Sequence, residues 1–314
     1  MRSGLALLAL AATLGASLMP VFAGQIYVNN VLGNDRSEGQ RPEPGPFGPV
    51  RTINRALRLA QPGDRIVLAD TGQPYRESIS LVGSRHSGSG GRPFVLDGNG
   101  AVLDGSAPVP PEAWQHYRKE VFFFQPPGTA FQQLLLGALP ALRVPADNRA
   151  AEPPALRPLE WCLYRGNVFF AAHPGKLPDQ YPLAYAHHPV GITLFHVDQV
   201  VIQDLVVQHF QLDGINAFNS ARRVSLVRVT ARGNGRAGVA IGGASLAAID
   251  HCLVGNNGEA QLLTLPYSET HVYAGELLGN TAPGWVDAGG KVWLDGVART
   301  GGLEQYPPPG AKSP

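Results

Sequence analysis

The chain has 314 residues, of which only 16% are charged, and its 25 Lys or Arg nearly cancel 24 Asp or Glu to leave a net charge of +1. That balance excludes a nucleic-acid surface, which needs a basic face, and gives no general attraction for polyanionic sugars, so an acidic ligand would need local Arg or His. Glycine (38) and proline (28) are abundant, as expected of a chain that turns every few residues within one elongated domain or two ordinary ones.

Residues 1–23 read as a cleavable signal peptide. Arg2 supplies a positive start, Leu5 to Leu18 is apolar, and Val21-Phe22-Ala23 offers small residues at the positions a signal peptidase reads. The apolar run falls short of the roughly 20 residues a membrane span needs. The expected location is secreted or periplasmic, with no membrane partner after cleavage at Ala23.

Residues 24–106 alternate short strands with one helix. Strands are expected at Ile26 to Val28, Ile66 to Leu68, Ile79 to Leu81, Phe94 to Leu96 and Val102-Leu103. Thr52 caps a helix that places Ile53, Ala56, Leu57 and Ala60 on one face, and Pro62-Gly63-Asp64 stops it. A helix here would cover exposed backbone at the end of a stack of strands.

Residues 107–190 are punctuated by Pro108, Pro110, Pro111, Pro126-Pro127-Gly128 and Pro153-Pro154. They read as a β-rich insertion. Within it, Trp161 to Tyr164 and Val168 to Phe170 flank Arg165-Gly166-Asn167 as a hairpin.

Residues 191–302 repeat. Ile202, Leu226, Ile249 and Tyr273 lie at matching places in similar segments, 24, 23 and 24 residues apart. A period in this range, built from short alternating β runs and Gly/Asn turns, signals stacked copies of one supersecondary unit, here a β-solenoid. Val200, Ile202, Leu205, Val207, Ile215 and Ala217 should point inward, with a tight turn at Gln203-Asp204 and its counterparts at Arg228 and Asp250-His251. Asn234 with Asn257, and Asn256 with Asn280, are expected as ladders between rungs. Of the two cysteines, Cys252 falls at an inward position and reads as a buried free thiol. Residues 303–314, with Pro307 to Pro309, read as a loose tail.

The run Pro49, Thr52-Ile53, Ala56-Leu57, Ala60, Pro62-Gly63-Asp64, Ile66, Leu68, Gly72, Tyr75, Glu77 and Ile79 resembles the N-terminal cap and first rung of right-handed parallel β-helix proteins of the pectate-lyase-like superfamily. The later block resembles their generic repeats. Leu134, Gly137, Leu139, Pro140, Arg143 and Pro145 are similar to a stretch in the insertion that some exported bacterial β-helix proteins carry. The resemblance implies an all-β, single-stranded right-handed parallel β-helix with a short N-terminal capping helix and a β-rich insertion. It is specific for fold and poor for activity, because the superfamily includes polysaccharide lyases, epimerases, glycoside hydrolases, tailspikes and non-catalytic members.

The outward strand positions Thr193, Asn216, Phe218, Ala240, Gly242, Leu263 and Leu265 are small or apolar, and no familiar polygalacturonase or pectate-lyase pattern stands out. Charged groups border this face instead. Asp213, Arg236 and Glu259 are each 23 residues apart, which predicts one column. Two carboxylates two rungs apart would be separated by roughly 9.6 Å, near the upper end for inverting glycoside hydrolysis. One reading makes Asp213 and Glu259 acid and base, with Arg236, His188 and His209 binding substrate. The other makes the column a surface ion-pair ladder of little energetic worth. No metal-ligand spacing stands out, and no cofactor is implied. The expected function is an exported carbohydrate-active protein that binds a poly- or oligosaccharide and, on the stronger reading, cleaves it as a glycoside hydrolase or polysaccharide lyase. The alternative is a non-catalytic glycan-binding or cell-surface structural β-helix protein.

Overall fold

The computed structural model describes residues 24–308; the expected leader and the end of the expected tail lie outside them. The chain winds as a right-handed parallel β-helix whose rungs each add a strand to three long sheets. Sheet A has nine strands, from Gln25–Val28 through Asp198–Gln203 and Arg222–Val227 to Lys291–Leu294, closed by an antiparallel Val297–Arg299. Sheet B has five short strands, including Val206–Gln208 and Thr230–Arg232. Sheet C has six, including Ile192–Phe195, Asp213–Phe218, Ala237–Ile241 and Ala260–Thr264.

Two physical features set the period. The first is inward stacking. Ile202, Leu226, Ile249 and Val272 are successive register partners and are all fully buried. Each such side chain contributes about 1.5–3 kcal/mol by leaving water. The second is the corner between sheets A and B. Asp204, Arg228, His251 and Ala274 adopt φ of 51°, 51°, 51° and 44°. Left-handed backbone is costly for such residues. It is offset because the turn N–H of Asp204, Arg228 and His251 donates to the next rung, to Val227 O, Asp250 O and Tyr273 O at 3.1, 2.9 and 3.0 Å. The corner is thus fixed by pairing between rungs rather than by glycine.

The asparagine ladders form as expected. Asn234 Nδ2 donates to Asn257 Oδ1 at 2.9 Å in the interior, and Asn280 Nδ2 to Asn256 Oδ1 at 2.9 Å on the surface. Cys252 is a buried free thiol, as is Cys162.

Both ends are covered. Helix α1 (Ile53–Leu59) buries Ile53, Ala56 and Leu57. Its first N–H groups are satisfied by Thr52 Oγ1 and by Glu77, whose carboxylate accepts from Ile53 and Asn54 at 2.8 and 3.0 Å. At the other end, Leu303 exchanges backbone bonds with Trp285 and Tyr306 with Leu277. This stretch was expected to be loose. Unpaired edges of the last rung hold it instead.

The insertion leaves the solenoid uninterrupted. The rung that contains Ile79–Val82 and Val102–Asp104 pairs directly with Ile192–Phe195 and Val206–Gln208. Between them the chain forms a five-stranded and a four-stranded sheet. Their shared core includes Phe124, Leu134, Trp161, Phe170 and Leu183. The hairpin Glu160–Tyr164/Asn167–Ala171 stands where the sequence places it.

Candidate functional site

The column of charges is shifted by one residue. Asp213 is in register with Ala237 and Ala260. Backbone bonds run instead from Arg236 N to Leu212 O and from Glu259 N to Arg236 O, both 2.8 Å. The file is Leu212, Arg236, Glu259, with Asp213 beside it. The equal spacing in sequence misleads because the lower rung is one residue longer than the upper one.

Asp213 is fully buried. Arg236 donates to its two oxygens through Nε at 2.9 Å and Nη2 at 2.6 Å, and Asn216 Nδ2 adds a bond at 3.3 Å. These bonds from Arg236 hold the guanidinium pKa above its usual value against the opposing effect of burial, with Glu259 adding a smaller favourable field. A general acid or base must touch the bond it works on. Asp213 offers no surface and is bonded at both oxygens, so the expected couple of Asp213 with Glu259 does not fit this geometry. Arg236 is likewise committed to Asp213, with its guanidinium carbon 6.0 Å from the Phe131 ring centroid.

Glu259 is exposed. It borders a cleft of about 270 Å³ between the insertion and the loops that join sheets B and C. Gly235 and Gly258 line the solenoid side, and Phe131, Gln133, Arg143 and Trp161 the insertion side. The Arg143 guanidinium carbon lies 5.1 Å from the Trp161 ring centroid. Among the described residues neither Arg143 nor Glu259 has an ion-pair partner. Gln133 Nε2 donates to Gly233 O at 3.1 Å and ties the insertion to the repeat loop. A Cβ at Gly235 would lie 2.2 Å from the carbonyl oxygens of both Phe131 and Gln211, so only glycine permits this approach.

The two expected histidines do not line the cleft. His209 is buried, with Nδ1 3.2 Å from Asp104 Oδ2. Burial opposes the charge on Asp104, but the hydrogen bonds from His209 and Gln208, the positive field of His209 and a bond from Ser106 outweigh it. Its carboxyl is held well below the usual range. His188 is half-buried at the root of the insertion, where its N–H and that of His187 both donate to Gly105 O at 2.9 Å. Burial, and then the neighbouring His187, lower its pKa. Both histidines therefore serve the junction in this structure.

Gln133 and Phe131 had no signal as site residues. Arg143 stood in a quoted motif without a role. The Asp104–His209 contact spans 105 residues of chain, and only knowledge of where the solenoid resumes after the insertion could have paired them. Asn216 and Ala240 do face outward on sheet C but are buried, and Ala237, Ala240 and Ala260 pack with Phe218, Leu263 and Val286. Among the described residues no group of three or more His, Cys, Asp or Glu is placed to hold a metal, and no helix is long and apolar enough to cross a membrane.

No family model matches the sequence, and no curated protein matches it. Solved structures do resemble it in shape. A structure described as a glycoside hydrolase superposes with a TM-score of 0.55 at 12% identity, covering 79% of this chain and 72% of that one. A complex of XylC with xylose gives 0.43 at 10% identity, covering 86% and 69%. The pectate lyase Pel9A gives 0.41 at 12% identity, covering 81% and 54%. At these identities the likeness is one of fold alone, that of a parallel β-helix.

Proposed function

We propose that this chain is a saccharide-binding β-helix protein whose ligand lies in the cleft between the insertion and the repeat loops. The fold supports the carbohydrate class, since the glycoside hydrolase neighbour has it. The observation that carries the choice of binding over cleavage is the burial of Asp213 under Arg236. It withdraws one of the two carboxylates an acid–base couple requires and leaves Glu259 alone on the cleft.

In this reading Glu259 accepts hydroxyl hydrogen bonds, and Arg143 donates to ring or carboxylate oxygens. Arg236, His188 and His209, proposed from sequence as substrate contacts, position the loops and the insertion. The protein acts outside the cytoplasm, with a mature chain that starts at Gly24; intact mass of the exported protein checks this.

The test is a glycan array probed with the mature chain, followed by product analysis on every hit. Binding without products, weakened in Glu259→Gln and Arg143→Ala and kept in Asp213→Asn, is the expected result. Chain cleavage that disappears in Glu259→Gln would overturn the binding reading in favour of a hydrolase or lyase. Absence of any glycan ligand would overturn the carbohydrate assignment and favour a structural surface protein.

A further inference from the structure

A second feature with the chemistry of a saccharide site stands on the outer face of sheet A, away from the cleft. Ala248, His271 and Trp293 are register neighbours on three successive strands, and Asp250 and Tyr273 are neighbours in the adjoining column. The His271 and Trp293 rings stack with centroids 4.5 Å apart and planes 5° from parallel. Tyr273, two residues along the same strand, holds its ring 17° from the plane of His271 at 6.0 Å. Because the stacking partner is one rung further on, these planes stand upright on the sheet and face along the solenoid axis.

One side of this wall is closed: Trp293 lies behind His271, and Ala298 of the terminal antiparallel strand lies beside Trp293. The other side looks over a rung whose residues are Ala248 and, one rung lower, Ser225. A methyl group cannot cover an imidazole face. His271 and Tyr273 keep 25% and 40% exposure. The rings are already fixed, since His271 Nε2 lies 3.0 Å from Glu269 Oε1 and Nδ1 lies 3.2 Å from the Tyr273 hydroxyl. A ligand therefore meets an ordered surface and loses little to ordering it. Two half-exposed carboxylates, Glu269 and Asp250, flank the wall.

We infer that this step binds an uncharged pyranoside with equatorial hydroxyls. Its apolar C–H face lies against His271 and Tyr273 above Ala248, and its hydroxyls donate to Glu269 and Asp250. A uronate is disfavoured by the two carboxylates. The site shares its class of ligand with the cleft but none of its residues, so either can fail alone.

The experiment titrates the full chain with cellohexaose and follows tryptophan emission, with Trp293→Phe assigning the signal. Expected is a change in emission that Trp293→Phe removes, with binding at least about tenfold weaker in Tyr273→Leu and in Ala248→Leu. The second variant leaves every ring in place and only covers the imidazole face, so a folding defect is not its explanation. Glu259→Gln should leave this titration unchanged. No response of the wild-type chain to cellohexaose, or a response that survives Tyr273→Leu and Ala248→Leu, overturns the site. Loss of the response in Glu259→Gln instead would assign cellohexaose to the cleft, which overturns the second site while supporting the first.

Discussion

Arg236 grips both carboxylate oxygens of Asp213 from the next turn of the solenoid, at 2.9 and 2.6 Å, with the carboxylate wholly out of solvent. Breaking a buried pair by removing one charge leaves the other uncompensated, at a cost of about 3–5 kcal/mol when both groups are dry. The guanidinium keeps 26% exposure, so water recovers part of this. Asp213→Asn is expected to lower stability by about 2–3 kcal/mol, read from urea denaturation midpoints, with saccharide binding intact in the folded fraction. A variant as stable as the wild type would show the pair to be incidental.

The interior and surface asparagine ladders should differ sharply. Asn257 is fully buried and serves several partners. Its Oδ1 accepts from Asn234 N and Nδ2, both at 2.9 Å, and its Nδ2 donates to Ala231 O, Gly255 O and Gln261 Oε1. Asn257→Ala strands these groups without water, at about 1–3 kcal/mol for each that stays unpaired. Asn280 bonds to Asn256 in the open, where water replaces the lost partner and Asn280→Ala should cost under about 1 kcal/mol. Equal losses in thermal unfolding would mean that stacking, rather than hydrogen bonding, holds the ladder.

The repeat was legible because inward aliphatics recur at one place per turn, and the burial of Ile202, Leu226 and Ile249 answers to that alone. The capping helix was legible from Thr52 and its apolar face. The site was not. Counting 23 residues from Asp213 to Arg236 to Glu259 assumed rungs of equal length, and a single extra residue in one rung turned a proposed acid into a buried anchor. The cleft was hidden for another reason. Its walls come from chain segments about 100 residues apart, as the bond from Gln133 to Gly233 shows, and no local pattern encodes how an insertion leans on its scaffold.

Two histidines and four aspartates with depressed pKa, Asp35, Asp104, Asp198 and Asp204, give stability a pH profile with separate windows. His86 is buried and its neutral form is fully specified: Nε2 donates to Leu57 O at 3.0 Å and Nδ1 accepts from Val82 N at 2.9 Å. Burial lowers its pKa against the opposing effect of the Leu57 bond, and Arg85 adds a smaller lowering. His188 is shifted the same way. A folded pKa below the unfolded value of about 6.5 means stability that is full above that pH. It is lost as pH falls, by at most about 1.4 kcal/mol per unit for each proton. Asp104, also depressed, adds a second loss only below its unfolded value of about 3.9. Urea midpoints from pH 8 to 3 should show both steps. His86→Asn should reduce the first and Asp104→Asn the second; a profile level from pH 7 to 5 would contradict the assignment of His86.

Gly235 offers a way to move the insertion without touching a binding side chain. A methyl group there meets two backbone oxygens at 2.2 Å, one from Phe131 of the insertion and one from Gln211 of the rung below. Neither is the end of a flexible side chain, so backbone must shift, at about 1–3 kcal/mol for such overpacking. The rung is held by stacked strands on both sides, whereas the insertion edge is held to this loop by the Gln133 bond. Displacing the insertion relieves the Phe131 clash, while the Gln211 clash strains the repeat loop as well. Gly235→Ala should lower the unfolding midpoint of the solenoid, raise hydrogen exchange at Gln132 and Gln133, and weaken glycan binding even though Glu259 and Arg143 remain. Gln133→Ala should move exchange in the same direction with a smaller loss, because it removes one bond and adds no clash. If Gly235→Ala bound glycan as the wild type does, the width of the cleft would be irrelevant and the ligand would have to be sought on the open face of Glu259 alone.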